Sequence, residues 1–194
     1  MIESVMEKAI FLDKDGTLIP DVPFNVDARL VNIEANSVDG LKLFRDMGYR
    51  LVVVSNQSGV ARGYFEEDAL RAIEDKIQQL LAMHGLNIHA FYYCTHDIDA
   101  DCNCRKPQPG MLMNAAKDLN IDLAQSWMVG DILNDVEAGN KVGCRTILID
   151  NGNETEWILN SFRQPLFKAR HIDEAARLVH KAVKSDSQEI TIND

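Results

Sequence analysis

The chain has 194 residues, which is enough for one domain with a sizeable hydrophobic core. Apolar residues make up 46% and charged residues 26%, the balance of an ordinary globular protein. The net charge of −10 repels nucleic acid and anionic membranes, so we expect neither as a partner. No apolar run reaches the length of a membrane span, and residues 1–8 lack a signal-peptide core, so the cytoplasm is the expected location.

Short apolar runs alternate along the chain with segments whose apolar residues recur at helical spacing. The runs are continuously apolar, which indicates strands of a parallel sheet with helices on both faces. The predicted elements, in chain order, are a strand at 9–12, a helix at 38–47, a strand at 49–54, a helix at 65–84, a strand at 88–93, a helix at 110–119, a strand at 127–129, a helix at 132–142, a strand at 145–149 and a helix at 172–183. Residues 153–170 have no clear assignment. We expect one α/β, Rossmann-like domain over residues 1–185 and a polar tail at 186–194.

Polar side chains follow the predicted strands at their carboxyl ends, where ligands bind in sheets of this kind. Asp13 and Asp15 follow the first strand, and residues 55–57 follow the second. Lys106 comes after the loop that follows the third strand, and Asp131 follows the fourth. Four segments that are distant in sequence are therefore expected to meet at one edge of the sheet.

Three of the four cysteines, Cys94, Cys102 and Cys104, lie close together in the sequence. In a reducing compartment such a cluster favours a metal over disulfides. Together with His96 they form the pattern C-x-H-x5-C-x-C, whose three thiolates and one imidazole suit tetrahedral zinc with a closed coordination shell. The pattern predicts a small structural zinc loop over residues 94–104, with free cysteines in a loop as the alternative.

The string FLDKDGTL, residues 11–18, places two carboxylates two positions apart at the end of a buried strand. A glycine then permits a sharp turn. Read alone, the string is also an ordinary polar β-turn. In this position it resembles the first motif of the haloacid dehalogenase (HAD) superfamily of phosphatases. The resemblance implies that Asp13 attacks phosphorus and that Asp15 acts as the acid and base of the reaction.

Three further motifs occur in the order that this superfamily has. The resemblance implies that Ser55 and Lys106 hold the phosphoryl group, and that the two aspartates of the first motif bind Mg²⁺ together with Asp131. Asp135, four residues further along the same helical face, is expected to support the metal from outside its coordination shell. Taken alone, Ser55 would belong to a common loop, Lys106 to an exposed basic pair and Asp131 to a helix N-cap.

The longer strings NQSGVARGYF, YYC, CRKPQPGM and MVGD resemble the subfamily of heptose-bisphosphate and histidinol-phosphate phosphatases. The resemblance implies substrate contacts from six side chains, which are Asp21, Phe24, Asn56, Gln57, Ser58 and Arg105. Two features depart from the heptose branch. Ile132 stands where the subfamily usually has a basic residue, and only five residues separate His96 from Cys102, as in the histidinol relatives.

These motifs predict a Mg²⁺-dependent phosphatase that works through an aspartyl-phosphate and carries structural Zn²⁺. The spacing between the first two motifs leaves no room for a large cap domain, so the expected substrate is small and extended. A sugar bisphosphate of the heptose type is the favoured substrate, with histidinol phosphate or another small phosphate ester as the alternative. A monomer is favoured.

Two other classes of protein compete with this interpretation. A phospho-receiver domain shares the fold class, but its acceptor aspartate follows the third strand, whereas the D-x-D-G-T string here follows the first. A zinc-binding module without catalysis would not require Asp13, Asp15, Lys106 and Asp131 together. Phosphate release with and without magnesium separates the three classes.

Overall fold

The computed structural model of the chain describes residues 5–192, and its centre is a β-sheet. The strands in this part of the chain are β1 (Ala9–Leu12), β2 (Arg50–Asn56), β3 (Ala90–Cys94), β4 (Trp127–Gly130), β5 (Arg145–Ile149) and β6 (Phe167–Ala169). The α-helices are α1 (Val38–Asp46), α2 (Ala69–Ala82), α3 (Gly110–Leu119), α4 (Leu133–Lys141) and α5 (Ile172–Ile192). Two short 3-10 turns lie at Ala28–Leu30 and Leu123–Gln125.

All strand pairings in the sheet are parallel, and the strand order is β3-β2-β1-β4-β5-β6. The predicted Rossmann-like fold is therefore confirmed. Because β1 lies between β2 and β4, Leu12 is level with Val53 on one side and Val129 on the other. The residues that follow these three strands consequently emerge side by side at one edge of the sheet.

Each face of the sheet is covered by helices. Ile10 and Leu12 of β1 pack into the core formed with α1, α2 and α5. Ala9 and Phe11 of the same strand pack into the core formed with α3 and α4. Burial on both faces explains why the strands are continuously apolar in sequence.

Most predicted boundaries agree with the structure to within two residues, and three elements differ by more. Helix α2 begins at Ala69, four residues later than expected, because the acidic run 66–68 offers no apolar positions and forms the preceding turn. Strand β6 was not predicted, since three residues at the edge of a sheet carry little periodicity. Helix α5 continues past residue 183 to Ile192, and residues 193–194 of the predicted tail lie outside the described residues.

The segment between β1 and α1 bears on access to the carboxyl edge. Within the described residues it contains one 3-10 turn and no further regular element, which agrees with the expected lack of a large cap domain. Between β1 and α1, the chain therefore borders the carboxyl edge with a loop and one short turn. The described helices also include none with the length and apolar character needed to cross a bilayer.

Gly40 provides a test of the packing of α1 against α5. A Cβ added at this position would lie 2.7 Å from the backbone atoms of Asp173 and Ile172. We expect Gly40→Ala to lower the free energy of unfolding by about 1–3 kcal/mol, because the two helices would have to separate. The loss should appear although alanine is the better helix former by about 1 kcal/mol.

Urea unfolding monitored by circular dichroism measures this change. Asp39→Ala is the matched control, because the neighbouring Asp39 side chain is 87% exposed on the same helix. A Gly40→Ala protein as stable as wild type would show that α1 and α5 do not make this close contact.

Candidate active site

The site begins at the turn that follows β1. The backbone N–H of Asp13 still donates to the carbonyl of Val129, so this residue is held at the end of the sheet. Gly16 then adopts φ +82°, a conformation that favours glycine. A Cβ on Gly16 would lie 2.2 Å from Oδ2 of Asp131, so the close approach of the two loops also requires glycine.

Three buried carboxylates and one lysine form the centre of the site. Asp13, Asp131 and Asp135 each place a carboxylate oxygen within 4.8 Å of the others. Lys106 is 2% exposed, and its Nζ donates to Asp13 and, at 2.8 Å, to the carbonyl of Val54. The same Nζ lies 2.6 Å from Oδ1 of Asp135. One cation thus faces three carboxylates, which leaves two negative charges uncompensated among these four groups.

The protonation of these groups reflects that imbalance. Burial raises the pKa of Asp13 well above its usual value, against the opposing effect of Lys106, and Asp135 and Asp131 raise it further. Burial, with the charge of Asp135, raises the pKa of Asp131 to about 6. Burial works to lower the pKa of Lys106, but Asp13 and Asp135 outweigh it and the pKa is raised. A hard divalent cation with oxygen ligands fits such a set, because it would balance both remaining charges.

The carboxylate of Asp15 is placed differently from its prediction as a magnesium ligand. It accepts hydrogen bonds from Lys14 Nζ and Gln57 Nε2, both at 2.9 Å, and does not join the cluster of three carboxylates. Asp135, predicted to stand outside the coordination shell, is the third member of that cluster. Lys14 and Gln57 together hold the Asp15 side chain apart from the cluster of three, and this side chain is 27% exposed.

The loop after β2 supports the site in two ways. Ser55 is buried and its Oγ accepts from Gln57 Nε2 at 2.9 Å, so this amide links Ser55 to Asp15. The Asn56 side chain donates to the carbonyl of Lys106 and accepts from its N–H, both at 3.0 Å. Asn56, predicted to contact substrate, therefore has both polar atoms of its amide engaged in holding the backbone of Lys106.

The predicted substrate residues divide between two cavities. Asp21, Phe24, Gln57 and Ser58 line a cavity of about 240 Å³ that also includes Asp15 and Asn56. Arg105 lies elsewhere, in a cavity of about 230 Å³ with Lys106, Asp101 and Asn134.

The cysteine cluster is assembled as its spacing predicts. Cys94, His96, Cys102 and Cys104 place one ligand atom each within 4.8 Å of the others. The sulfur–sulfur distances run from 3.1 to 3.8 Å. Four ligands at the usual zinc–sulfur length of about 2.3 Å would be about 3.7 Å apart at the corners of a tetrahedron, so the donor set fits zinc.

The structure adds site residues that the sequence did not indicate. Asn153 donates to Asp131 Oδ2 at 2.7 Å, and Asn151 donates to the carbonyl of Gly16 at 2.8 Å. Glu154 accepts from the N–H of Leu133 at 2.6 Å, at the start of α4. All three polar residues follow β5 at its carboxyl end, so the rule that located the other motifs would have found them had it been applied to this strand.

Ile132, the departure from the subfamily pattern, lies at the N-cap position of α4. Its N–H donates to Asp135 Oδ2 at 3.2 Å. This backbone contact is available to any residue except proline, so the loss of the basic side chain leaves the position of Asp135 intact.

The fold and this set of buried groups point to the HAD-like class of hydrolases. A family model described as HAD-hydrolase-like matches residues 103–175 of this chain. D-glycero-beta-D-manno-heptose-1,7-bisphosphate 7-phosphatase of Pasteurella multocida is 42% identical over 154 residues, which cover 76% of this chain and 84% of the relative. The protein of the same name from Escherichia coli K12 is 38% identical over 169 residues, covering 79% and 88%.

A solved structure is similar as well. The D,D-heptose 1,7-bisphosphate phosphatase of B. bronchiseptica, in complex with magnesium and phosphate, matches with a TM-score of 0.76 and 29% identity over 90% of this chain and 99% of that one. The chain belongs to the HAD-like hydrolases, in the phosphatase family that these relatives form.

The pKa of Asp131 generates a prediction for stability without magnesium. The pKa is about 6 in the folded state and 3.8 ordinarily, so between these values the folded chain binds more protons than the unfolded chain. The stabilisation from this protonation is complete below pH 4 and is lost as the pH rises through about 6. We expect a loss on the order of 1–3 kcal/mol.

The measurement is urea unfolding in magnesium-free buffer between pH 4 and 7. Asp131→Asn should lack this part of the pH dependence, whereas the exposed Asp39→Asn should retain it. An identical pH profile for wild type and Asp131→Asn would contradict the prediction.

Proposed function

We propose that this chain is a Mg²⁺-dependent phosphatase that uses Asp13 as a nucleophile and removes the 7-phosphate of D-glycero-D-manno-heptose 1,7-bisphosphate. The observation that carries the proposal is the burial of Asp13 beside Lys106, Asp131 and Asp135 at the carboxyl edge of the sheet. We propose Asp13 and Asp131 as magnesium ligands, with Asp135 beside them. A bound Mg²⁺ would offset the repulsion between a carboxylate and a phosphate monoester.

In the first step, the Asp13 carboxylate attacks phosphorus and the bond from phosphorus to the ester oxygen breaks. The Asp15 carboxyl gives its proton to the departing alkoxide. Lys106 Nζ and Ser55 Oγ are the donors for the phosphoryl oxygens. The position of Asp15 supports this role, because Asp15 lines the open 240 Å³ cavity at the edge of the site.

In the second step, water attacks the phosphorus of the aspartyl-phosphate. The Asp15 carboxylate takes the proton of that water, and the bond between phosphorus and the Asp13 oxygen breaks. Inorganic phosphate leaves and both carboxyl groups return to their starting states. Gln57 supports both steps, because its amide holds the Asp15 carboxylate in one orientation.

The choice of a sugar bisphosphate rests on the relatives and on charge. The curated relatives at 37–43% identity are named for the heptose bisphosphate. Arg105 supplies a cation beside Lys106 that suits a second phosphate and would repel the amine of histidinol phosphate. Arg62 is a poorer candidate for this phosphate, because it is paired with Asp97 at 2.8 Å.

Zn²⁺ at the cysteine cluster would be structural. Its four proposed ligands leave no open position, and the loop they close runs directly into Arg105 and Lys106. Metal binding there would contribute to the folding of the loop and so to the position of both cations.

We also propose a cytoplasmic monomer whose catalytic domain spans residues 1–185. The cysteines that cluster as a metal site are the kind of cysteine use expected in a reducing compartment.

The catalytic assignment predicts that Asp13→Asn abolishes turnover and leaves the fold intact. The carboxamide has almost the same shape but is a poor nucleophile, and several kcal/mol of transition-state stabilisation would be lost. Phosphate release from the heptose bisphosphate measures the effect, with Asp39→Asn as the control. An Asp13→Asn protein that keeps a tenth of the wild-type kcat would contradict the assignment of the nucleophile.

The substrate assignment predicts that kcat/KM for the heptose bisphosphate exceeds that for histidinol phosphate at least about tenfold, or roughly 1.4 kcal/mol. Steady-state kinetics at matched magnesium measure the ratio. Arg105→Met should reduce it, whereas Arg71→Met, which alters an exposed arginine of α2, should not. Equal or reversed values of kcat/KM would assign the chain to the histidinol-phosphate branch, whose members have a similarly short zinc loop.

The zinc assignment predicts one zinc per chain by elemental analysis of protein prepared without chelators. Cys104→Ser should lose the metal and most activity, because Lys106 lies two residues away and would be displaced. Cys144→Ser is the control, since Cys144 is buried in the same core as Cys94 but is not one of the four clustered ligands. Zinc-free wild-type protein with full activity would refute the assignment.

A further inference from the structure

The loop after β5 reaches the catalytic turn through a pair of asparagines. Asn151 donates from Nδ2 to the carbonyl of Gly16 at 2.8 Å, and its Oδ1 accepts from the N–H of Asn153 at 3.1 Å. The side chain of Asn153 then donates to Asp131 Oδ2 at 2.7 Å. A single chain of hydrogen bonds therefore links the turn after β1, the loop after β5 and the carboxylate after β4.

Asp131 receives a donor on each of its oxygens. Asn153 contacts Oδ2, and the hydroxyl of Thr17 donates to Oδ1 at 3.3 Å. Rotation of the carboxylate would break both contacts. The fit is close at Gly16, where an added Cβ would lie 2.2 Å from Asp131 Oδ2 and 2.5 Å from Asn153 Nδ2.

We propose that Asn153 is a positioning residue that fixes the Asp131 carboxylate for the divalent cation, and that Asn151 fixes Asn153. The inference rests on the proposed function, in which Asp131 is a metal ligand. A neutral amide suits this task, because it donates one hydrogen bond and leaves the carboxylate its charge and its remaining lone pairs. A lysine at position 153 would instead compete with the metal for the same charge.

If Asn153 has this role, replacing it should weaken the binding of Mg²⁺ without weakening the binding of substrate. Hydrogen-bond partners of metal ligands typically change the affinity for the metal by about 10–100-fold when they are removed. Neither Asn151 nor Asn153 lines the cavity that includes Asp15, so the KM for substrate should stay close to its wild-type value.

The first test is direct titration of substrate-free protein with Mg²⁺ in a calorimeter. Asn153→Leu removes the donor and keeps a similar volume, and we expect its Kd for Mg²⁺ to rise about tenfold. Asn160→Leu is the control, because it is the same change in the same loop. Asn160 accepts from the N–H groups of Phe162 and Arg163, and none of its hydrogen bonds goes to Asp131.

The second test uses the magnesium dependence of turnover. Asn153→Leu should need about tenfold more Mg²⁺ for half-maximal rate and should approach the wild-type kcat at saturating Mg²⁺. Asn151→Leu should change the same quantity in the same direction. The double variant should be no worse than the weaker-binding single variant, because both residues act through one contact.

The outcomes separate this inference from the proposed function. If Asp131→Asn weakens Mg²⁺ binding while Asn153→Leu binds within twofold of wild type, the positioning role is wrong and the metal site stands. Equal weakening by Asn160→Leu, or a kcat for Asn153→Leu that stays low at saturating Mg²⁺, would also overturn it. If Asp131→Asn binds Mg²⁺ as tightly as wild type, the metal assignment and this inference both fail.

Discussion

The rest of this site depends on three carboxylates that are buried around one lysine. Removing a carboxylate from water is unfavourable, and Asp13, Asp131 and Asp135 are all nearly inaccessible to solvent. Lys106 balances one of the three charges. Burial, together with the charges of the neighbouring carboxylates, raises the pKa of both Asp13 and Asp131, and the remaining charge imbalance favours a divalent cation. The same imbalance would attract the metal on which a phosphate-directed nucleophile depends.

The surrounding residues keep these groups together, and two positions near them require glycine. Gly16 and Gly130 allow loops to approach carboxylates at distances that a Cβ would forbid. Asn56 holds the backbone of Lys106, and the cysteine cluster closes the loop just before it. Asn153 holds the Asp131 carboxylate. The nucleophile itself needs little support, because it continues directly from a central strand.

The sequence was sufficient to predict five of the six strands, the edge where the motifs meet and the members of the cysteine cluster, whereas in the carboxylate cluster it named Asp15 where the structure has Asp135. Those predictions succeed because strand ends and ligand spacing are fixed by local pattern. The direction of the Asp15 side chain was beyond reach, since it depends on Gln57, which lies 42 positions away. Asn153 follows β5 as the other motifs follow their strands, so its place at the carboxyl edge was predictable, but its contact with Asp131, 22 positions away, was not. Strand β6 forms because the edge of β5 offers it a hydrogen-bonding partner.

The central claim is that the phosphoryl group passes through Asp13, and trapping of the intermediate tests it most directly. Enzyme mixed with the heptose bisphosphate would be quenched in acid during turnover and reduced with borohydride, which converts an aspartyl-phosphate to homoserine. Peptide mass spectrometry would then locate the change. The account predicts it at residue 13 alone, in amounts that depend on Mg²⁺. Modification at Asp15, Asp131 or Asp135, or none at any residue under conditions of rapid turnover, would contradict it.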